Sequence, residues 1–324
     1  MSAVKWGIIS TARINRLFLA GARQAESVEL LAVASRDEAR AEQYAREHGF
    51  PRAYGSYDAL LADPDVEAVY IPLPNSQHVE WSARALEAGK HVLCEKPLSR
   101  HPDEVDRAFD VAEREGRLLM EAFMYRHHPQ TRRLIELLNG GAVGRIRMIR
   151  AAFGFVAADP ENIRLNAALD GGGLMDVGCY CVSAVRLIAG EPERVSAEQI
   201  PGGGGVDVTF AAAMRHADDV LSHFDCGLAL DSRDLLEVVG DAGSLLLEDP
   251  WHCRNPGIEL RRDGKSERIE IQRADSYRLE AENMSAAIRG EASPLLGRDD
   301  ALGQVRTIAA LYRAADAKRV VSLP

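Results

Sequence analysis

A chain of 324 residues, 46% hydrophobic and 27% charged, is long enough for two cores and has the make-up of an ordinary globular protein. Its formal net charge of −10 supplies no general positive field, which argues against nucleic acid or an anionic membrane as the main partner. No apolar run is read as reaching the ~20 residues of a membrane span, and Met-Ser-Ala-Val-Lys is no secretory signal, so a cytoplasmic, reducing setting is expected.

In the first third, short apolar runs over Val4–Ile9, Val28–Ala34, Ala68–Ile71, 91–94 and 118–122 alternate with helical patterns such as 38–47 and 78–88. Strand–helix alternation with continuously apolar strands implies a parallel sheet covered on both faces, a doubly wound Rossmann domain. After a helix over 129–138 and the turn Asn139-Gly140-Gly141 the texture changes. Strands are predicted over 145–155, 206–214, 220–227, 234–239, 244–248, 258–261 and 268–271, joined by short turns such as Arg262-Asp263-Gly264. Such connections suit antiparallel neighbours. Helices are predicted over 174–188, 276–289 and 303–317. The expected organisation is an α/β Rossmann domain over 1–122 and an α+β domain over 123–324 with a large open-faced, mainly antiparallel sheet. That sheet alone would expose an apolar face, which suits burial by a second subunit in a homodimer or homotetramer.

The five cysteines, Cys94, Cys179, Cys181, Cys226 and Cys253, are odd in number and lack zinc spacing, so no metal centre is expected. Cys179 and Cys181 flank Tyr180 in a predicted helix and point to different faces, as buried free thiols would.

A dinucleotide site needs a tight turn after the first strand, where backbone N–H groups and a helix N-terminus meet the pyrophosphate. Here that turn is Ser10-Thr11-Ala12-Arg13-Ile14, a degraded glycine motif with Ser10 and Ala12 in place of the first two glycines. The second strand ends in Ser35-Arg36-Asp37 rather than in an acid that binds a ribose 2′-hydroxyl. Arg36 suits a 2′-phosphate and Ser35 can donate to it, so NADP is favoured over NAD; Asp37 reads as the N-cap of the next helix.

Two further segments leave strands at their carboxyl ends, where ligands bind in doubly wound sheets: Tyr70-Ile71-Pro72-Leu73-Pro74-Asn75, and Glu95-Lys96-Pro97. Lys96 follows a buried run and needs a compensating charge, which Glu95 can supply as a structural pair or as part of a site. In the second domain the triple glycine 171–173 precedes Asp176 and Tyr180, spaced i and i+4 on one helix face. Asp176 reads equally as a helix-terminus charge, and Tyr180 as a core ring with its hydroxyl satisfied. His127 and His128 precede Pro129 at a helix start and are expected to be structural.

Together, Pro74-Asn75 followed by His78, Glu95-Lys96-Pro97, the run Glu121-Ala122-Phe123-Met124-Tyr125-Arg126, and the Asp176-to-Tyr180 helix resemble the glucose–fructose oxidoreductase / inositol dehydrogenase / rhizopine catabolism (Gfo/Idh/MocA) family in order and spacing across the whole chain. Many members have His at the position of Tyr180. The Tyr form, with Ser-Arg after the second strand, is similar to the dihydrodiol and xylose dehydrogenase branches. The resemblance implies hydride transfer between NADP and a sugar or cyclic diol. It assigns Tyr180 as general acid/base, Lys96 as its electrostatic partner and Asp176 as the group orienting the substrate hydroxyl; a rival assignment gives the proton to Lys96. It also implies that Ile71, Leu73, Asn75, His78, Glu95, Lys96, Arg126 and Arg164 join Ser10–Ile14, Ser35 and Arg36 around the cofactor, Arg164 reaching either cofactor or substrate. The alternative reading is a non-catalytic dinucleotide-binding regulator of sugar pathways, against which the proton-handling set Lys96, Asp176 and Tyr180 argues.

Overall fold

The computed structural model describes residues 2–323, which pack as two units. One holds the chain up to His127 together with Asp275–Ala301; the other holds His128–Ala274 together with the chain from Leu302. The sequence reading drew a single boundary at 122/123. The fold differs because the segment from Asp275 returns to the first unit, where the indole Nε1 of Trp6 donates to Ser285 Oγ at 3.3 Å. Gly21 admits this packing: a Cβ there would stand 2.5 Å from the backbone nitrogen of Arg278.

In the first unit, β1 (Val4–Ile9), α1 (Asn15–Ala22), β2 (Val28–Ala34), α2 (Glu38–His48), β3 (Arg52–Tyr54), α3 (Tyr57–Leu61), β4 (Ala68–Ile71), α4 (His78–Glu87), β5 (His91–Glu95), α5 (Pro102–Arg114) and β6 (Leu119–Ala122) alternate. The strands form one parallel sheet in the order β3-β2-β1-β4-β5-β6. Order reverses between β1 and β4, so their carboxyl ends flank the crevice in which doubly wound sheets bind ligands. Both faces are covered, and β4 is buried at every residue. Asp37 caps α2, accepting from the Arg40 N–H at 2.8 Å, as its sequence position implied.

The second unit opens with α6 (Pro129–Asn139) and β7 (Ile146–Val156), followed by a π-helical turn (Leu174–Gly178) that runs into α7 (Cys179–Ala189). Next come β8 (Pro192–Pro201), β9 (Asp207–His216), β10 (Leu221–Gly227), β11 (Ala229–Gly240), β12 (Ser244–Leu247), β13 (Gly257–Arg262) and β14 (Lys265–Glu270). After α8 (Ser276–Ile288) of the first unit, α9 (Arg298–Ala317) contains the unit boundary and β15 (Val321–Ser322) closes the chain. The second sheet has nine strands in the order β14-β13-β12-β11-β7-β10-β9-β8-β15, with only β7 and β10 parallel. Strand β8 lay outside the sequence reading, because its burial alternates weakly and it carries Glu193, Arg194 and Glu198.

Ala167–Ala189 is long and apolar enough to cross a membrane by length and composition alone, yet 78% of its most apolar window is buried inside the structure, as for a core helix. The open face of the second sheet carries at least one polar row. Glu237, Arg150, His223 and Ala213 lie in register across it, with Arg150 donating to Glu237 at 3.2 Å and to His223 at 3.3 Å. All five cysteines are free and buried, as expected.

Asp207 ties the sheet to the start of the α7 segment. It is 4% exposed, accepts from the Leu174 N–H at 2.6 Å and from the Tyr312 hydroxyl at 2.8 Å, and lies where side chains on Gly172 and Gly173 would stand. Asp207→Ala strands both buried donors and is expected to lower the unfolding free energy by about 3 kcal/mol in urea titrations. A loss below about 1 kcal/mol would show that the tie is not a stabilising one.

Candidate active site

The phosphate turn is built without glycine, and its backbone shows why glycine is usual there. Ser10 has φ 98°, a conformation that disfavours side chains, and is held in it by its own N–H on the Ala34 carbonyl (3.0 Å) and by the Asn15 amide on its carbonyl (2.9 Å). The Ser10 hydroxyl is buried with no partner among the described residues, and no backbone bond is made by the N–H groups of Thr11, Ala12, Arg13 or Ile14. Open amides at the start of α1 with an orphaned hydroxyl beside them fit a pyrophosphate.

Beside the turn, a cavity of about 580 Å³ is lined by Thr11, Asp37, Ala39, Arg40, Gln43, Tyr44 and Glu47. Ser35 is buried and accepts from the Asp37 N–H at 3.3 Å, while Arg36 stands exposed. The charges of Arg36 and Arg40 both reach Tyr57, whose pKa burial raises and these cations partly restrain. Arg40 was missed from sequence because a charged residue in the first turns of a polar helix looks like a solvated surface position.

The strap after β5 is tied on several sides. The Tyr70 hydroxyl donates to Glu95 at 2.5 Å, the Leu98 N–H donates to Glu121 at 2.8 Å, and the Lys96–Pro97 peptide is cis. His78, expected beside the cofactor, is 1% exposed, with one ring nitrogen 2.7 Å from the Leu73 carbonyl and the other 2.8 Å from that of Pro97. Its position is between the loops after β4 and β5, and as a neutral ring it donates its single N–H to one of the two carbonyls. Burial drives its pKa down to about 4, against the pull of the two carbonyls. Ile71 and Leu73 are buried where β4 ends, and Asn75 begins the short turn leading to His78. Arg126 pairs with Asp300 at 3.3 Å.

In the second unit the π-helical turn Leu174–Gly178 opens the helix that holds Asp176 and Tyr180. The spacing argument assumed a regular α-helix; the wider turn alters the rotation between the two residues, as such turns often do at functional sites. Arg164 meets Asp176 at 2.7 Å, so Asp176 is held as the acid of an ion pair. Tyr180 is 7% exposed within an aromatic wall, 5.3 Å edge-on from Phe153 and 6.0 Å from Trp251. His252 stands edge-on to Phe153 at 5.5 Å, and its ring nitrogen lies within 4.8 Å of carboxylate oxygens of Asp234 and Asp249. His128 caps α6, accepting from the Gln130 N–H at 3.0 Å, the structural role expected of it.

Both units match described families. Residues 4–123 match the oxidoreductase family with an NAD-binding Rossmann fold, and residues 131–246 match the GFO/IDH/MocA C-terminal domain. The chain is 38% identical to D-xylose 1-dehydrogenase (NADP(+)) 2 of Haloferax volcanii, over 98% of this chain and 99% of the relative. It is 35% identical to bovine trans-1,2-dihydrobenzene-1,2-diol dehydrogenase, over 78% of this chain and 76% of the relative. The crystal structure of KijD10, a 3-ketoreductase from Actinomadura kijaniata with NADP and TDP-benzene, superposes with a TM-score of 0.90 at 31% identity, covering 96% and 98% of the two chains. The chain therefore belongs to the Gfo/Idh/MocA oxidoreductase family and has its nicotinamide-dinucleotide-binding Rossmann domain.

Buried histidines make the first unit acid-sensitive. His78 and His91 have pKa values pushed from 6.5 to about 4, and His127 to about 3, burial being the main cause in each. Between pH 6.5 and 4 the unfolded chain binds more protons, so this stability is present above pH 6.5 and is lost as pH falls through the folded values. For His78 the loss is on the order of 3 kcal/mol, and His78→Gln is expected to flatten the slope of unfolding free energy against pH in this window. A wild-type curve that is already flat there would overturn the assignment.

Proposed function

We propose that the protein is an NADP(H)-dependent oxidoreductase moving a hydride between nicotinamide and a carbinol or carbonyl carbon of a sugar or cyclic diol. The nicotinamide, when bound, supplies or accepts the hydride. The chain must handle the hydroxyl proton, and Tyr180 is the observation on which the reading rests. It places a phenol in an aromatic wall, on the same helical segment as an ion-paired Asp176.

In the oxidative direction Tyr180 takes the proton of the substrate hydroxyl; in reduction it returns it. Lys96, where β5 ends, offers a positive charge and a donor for an oxygen that gains negative charge. Asp176, fixed by Arg164, accepts from a neighbouring hydroxyl and so orients the carbon that reacts. The aromatic wall of Phe153 and Trp251 suits the apolar C–H face of a sugar ring or a cyclic diene equally. Xylose and dihydrobenzenediol, named for two relatives, share this pairing of a C–H face with adjacent hydroxyls. Ser35, Arg36 and Arg40 support NADP as the carrier, in agreement with the NADP(+) of the Haloferax enzyme and the NADP of the KijD10 complex.

Aldoses, keto-sugars and trans-dihydrodiols assayed with NADP and NAD in parallel, followed by nicotinamide absorbance, test the reaction class. No dinucleotide turnover with any of them would favour a dinucleotide-binding regulator. Tyr180→Phe is expected to lower kcat by ~10²–10⁴-fold with NADPH affinity nearly intact, and wild-type turnover would return the proton to Lys96. Arg36→Ala is expected to raise the KM for NADP by ~10–100-fold and leave that for NAD almost unchanged, since it removes one charge-assisted phosphate contact. Equal losses with both cofactors would reject the 2′-phosphate role.

A further inference from the structure

Helix α8 brings a carboxyl group into the interior of the first unit that the reaction above does not use. Glu280 is 0% exposed, and neither of its oxygens has a hydrogen-bond partner among the described residues. The charge of Glu95, the residue before Lys96, adds to the effect of burial in keeping its proton on. Glu95 in turn accepts from Tyr70, a buried tyrosine whose ring stacks on Phe18 at 3.9 Å and which also feels Glu280 and Tyr277.

An ionised carboxylate without a partner in such a place is strongly disfavoured, so Glu280 is a neutral acid. The negative charge belongs on Glu95, which accepts the Tyr70 hydrogen bond, because a donated hydrogen bond stabilises the ionised form of the group that accepts it. Tyr70 stays protonated as a donor, its pKa pushed up by burial and by Glu95. Among the described residues no cation donates to Glu280. On the turn Met124–His127, Arg126 pairs with Asp300 and burial keeps His127 neutral; Arg16 of α1 and Glu29 of β2 are exposed.

We propose that Glu280 is a positioning residue for the Lys96 strap: a neutral acid that, with Tyr70, confines a single negative charge to Glu95. The link to catalysis rests on the dehydrogenase reading, but the charge arrangement does not. Burial holds the Glu280 proton well beyond the usual carboxylate range, which agrees with this arrangement.

Infrared difference spectra of wild type minus Glu280→Gln at pH 8 read the arrangement without any substrate. A band in the carboxylic-acid carbonyl region, present in wild type and lost in the variant, is expected. A difference confined to carboxylate bands would overturn the proposal. The same acid band should shift in Tyr70→Phe, which tests the pair even if the Gln variant fails to fold; an unmoved band there would also overturn it. The role in positioning is read from a double-mutant cycle. Tyr70→Phe is expected to lower kcat about tenfold in the wild-type background and less than about threefold in the Glu280→Gln background, where no second acid competes for the charge. Equal losses in the two backgrounds would mean that Glu280 is only packing. Absence of turnover in wild type would defeat the dehydrogenase reading while leaving the infrared result to stand.

Discussion

Lys96 leaves a buried parallel strand, and a charged residue at that point needs a backbone that cannot drift. The fold meets this by holding the strap on every side: Tyr70 on Glu95, His78 on the Pro97 carbonyl, and Glu121 on the Leu98 N–H. These ties come from β4, the start of α4 and β6, so the geometry at Lys96 depends on the register of neighbouring strands and on the loop before α4. The same buried ring lies 2.7 Å from the Leu73 carbonyl, so it packs between the loops after β4 and β5, its single N–H serving one of the two carbonyls. Preorganisation of this sort is what a site for hydride and proton transfer needs, since reacting groups act only from a narrow range of positions.

The phosphate turn shows the same economy by different means. A serine occupies a left-handed backbone conformation usually given to glycine, and two hydrogen bonds hold it there. The conformational cost, of order 1–3 kcal/mol, is offset by the surrounding structure and leaves a hydroxyl as well as open amides facing the turn. In the second unit, the acid of the site is likewise fixed through a neighbour: Arg164 holds Asp176, and Asp207 fixes the glycine-rich entry to its helix. Polar contacts thus fix these segments in each unit, beside the apolar packing.

Much of this was legible in sequence, for identifiable reasons. Strands β1, β2 and β4 are largely apolar runs, broken only by Lys5 and Glu29, and the change to short turns after Gly141 marked the antiparallel sheet. Ser35-Arg36 and Glu95-Lys96-Pro97 stood out because polar groups directly follow buried strands. Other features depend on contacts distant in sequence. His78 resembles any polar residue at a helix start until the Leu73 and Pro97 carbonyls are seen beside it. The π-helical turn before Cys179 has no periodic signature, and Arg40 and Glu280 read as ordinary polar positions of α2 and α8. The ion pair of Arg150 and Glu237 on the open face of the second sheet was likewise hidden, because residues distant in sequence meet only through strand register.

The return of Asp275–Ala301 to the first unit also bears on how the protein is made. A chain emerging from the ribosome completes all six strands of the parallel sheet long before α8 exists. Until then Trp6 lacks its Ser285 acceptor, and the side of α1 around Gly21 is uncovered. The dinucleotide-binding half precedes most of the second unit in the chain yet closes only after it, so its nascent form is an open sheet in need of protection during synthesis. A fragment ending at the apparent domain boundary would keep that unfinished surface permanently.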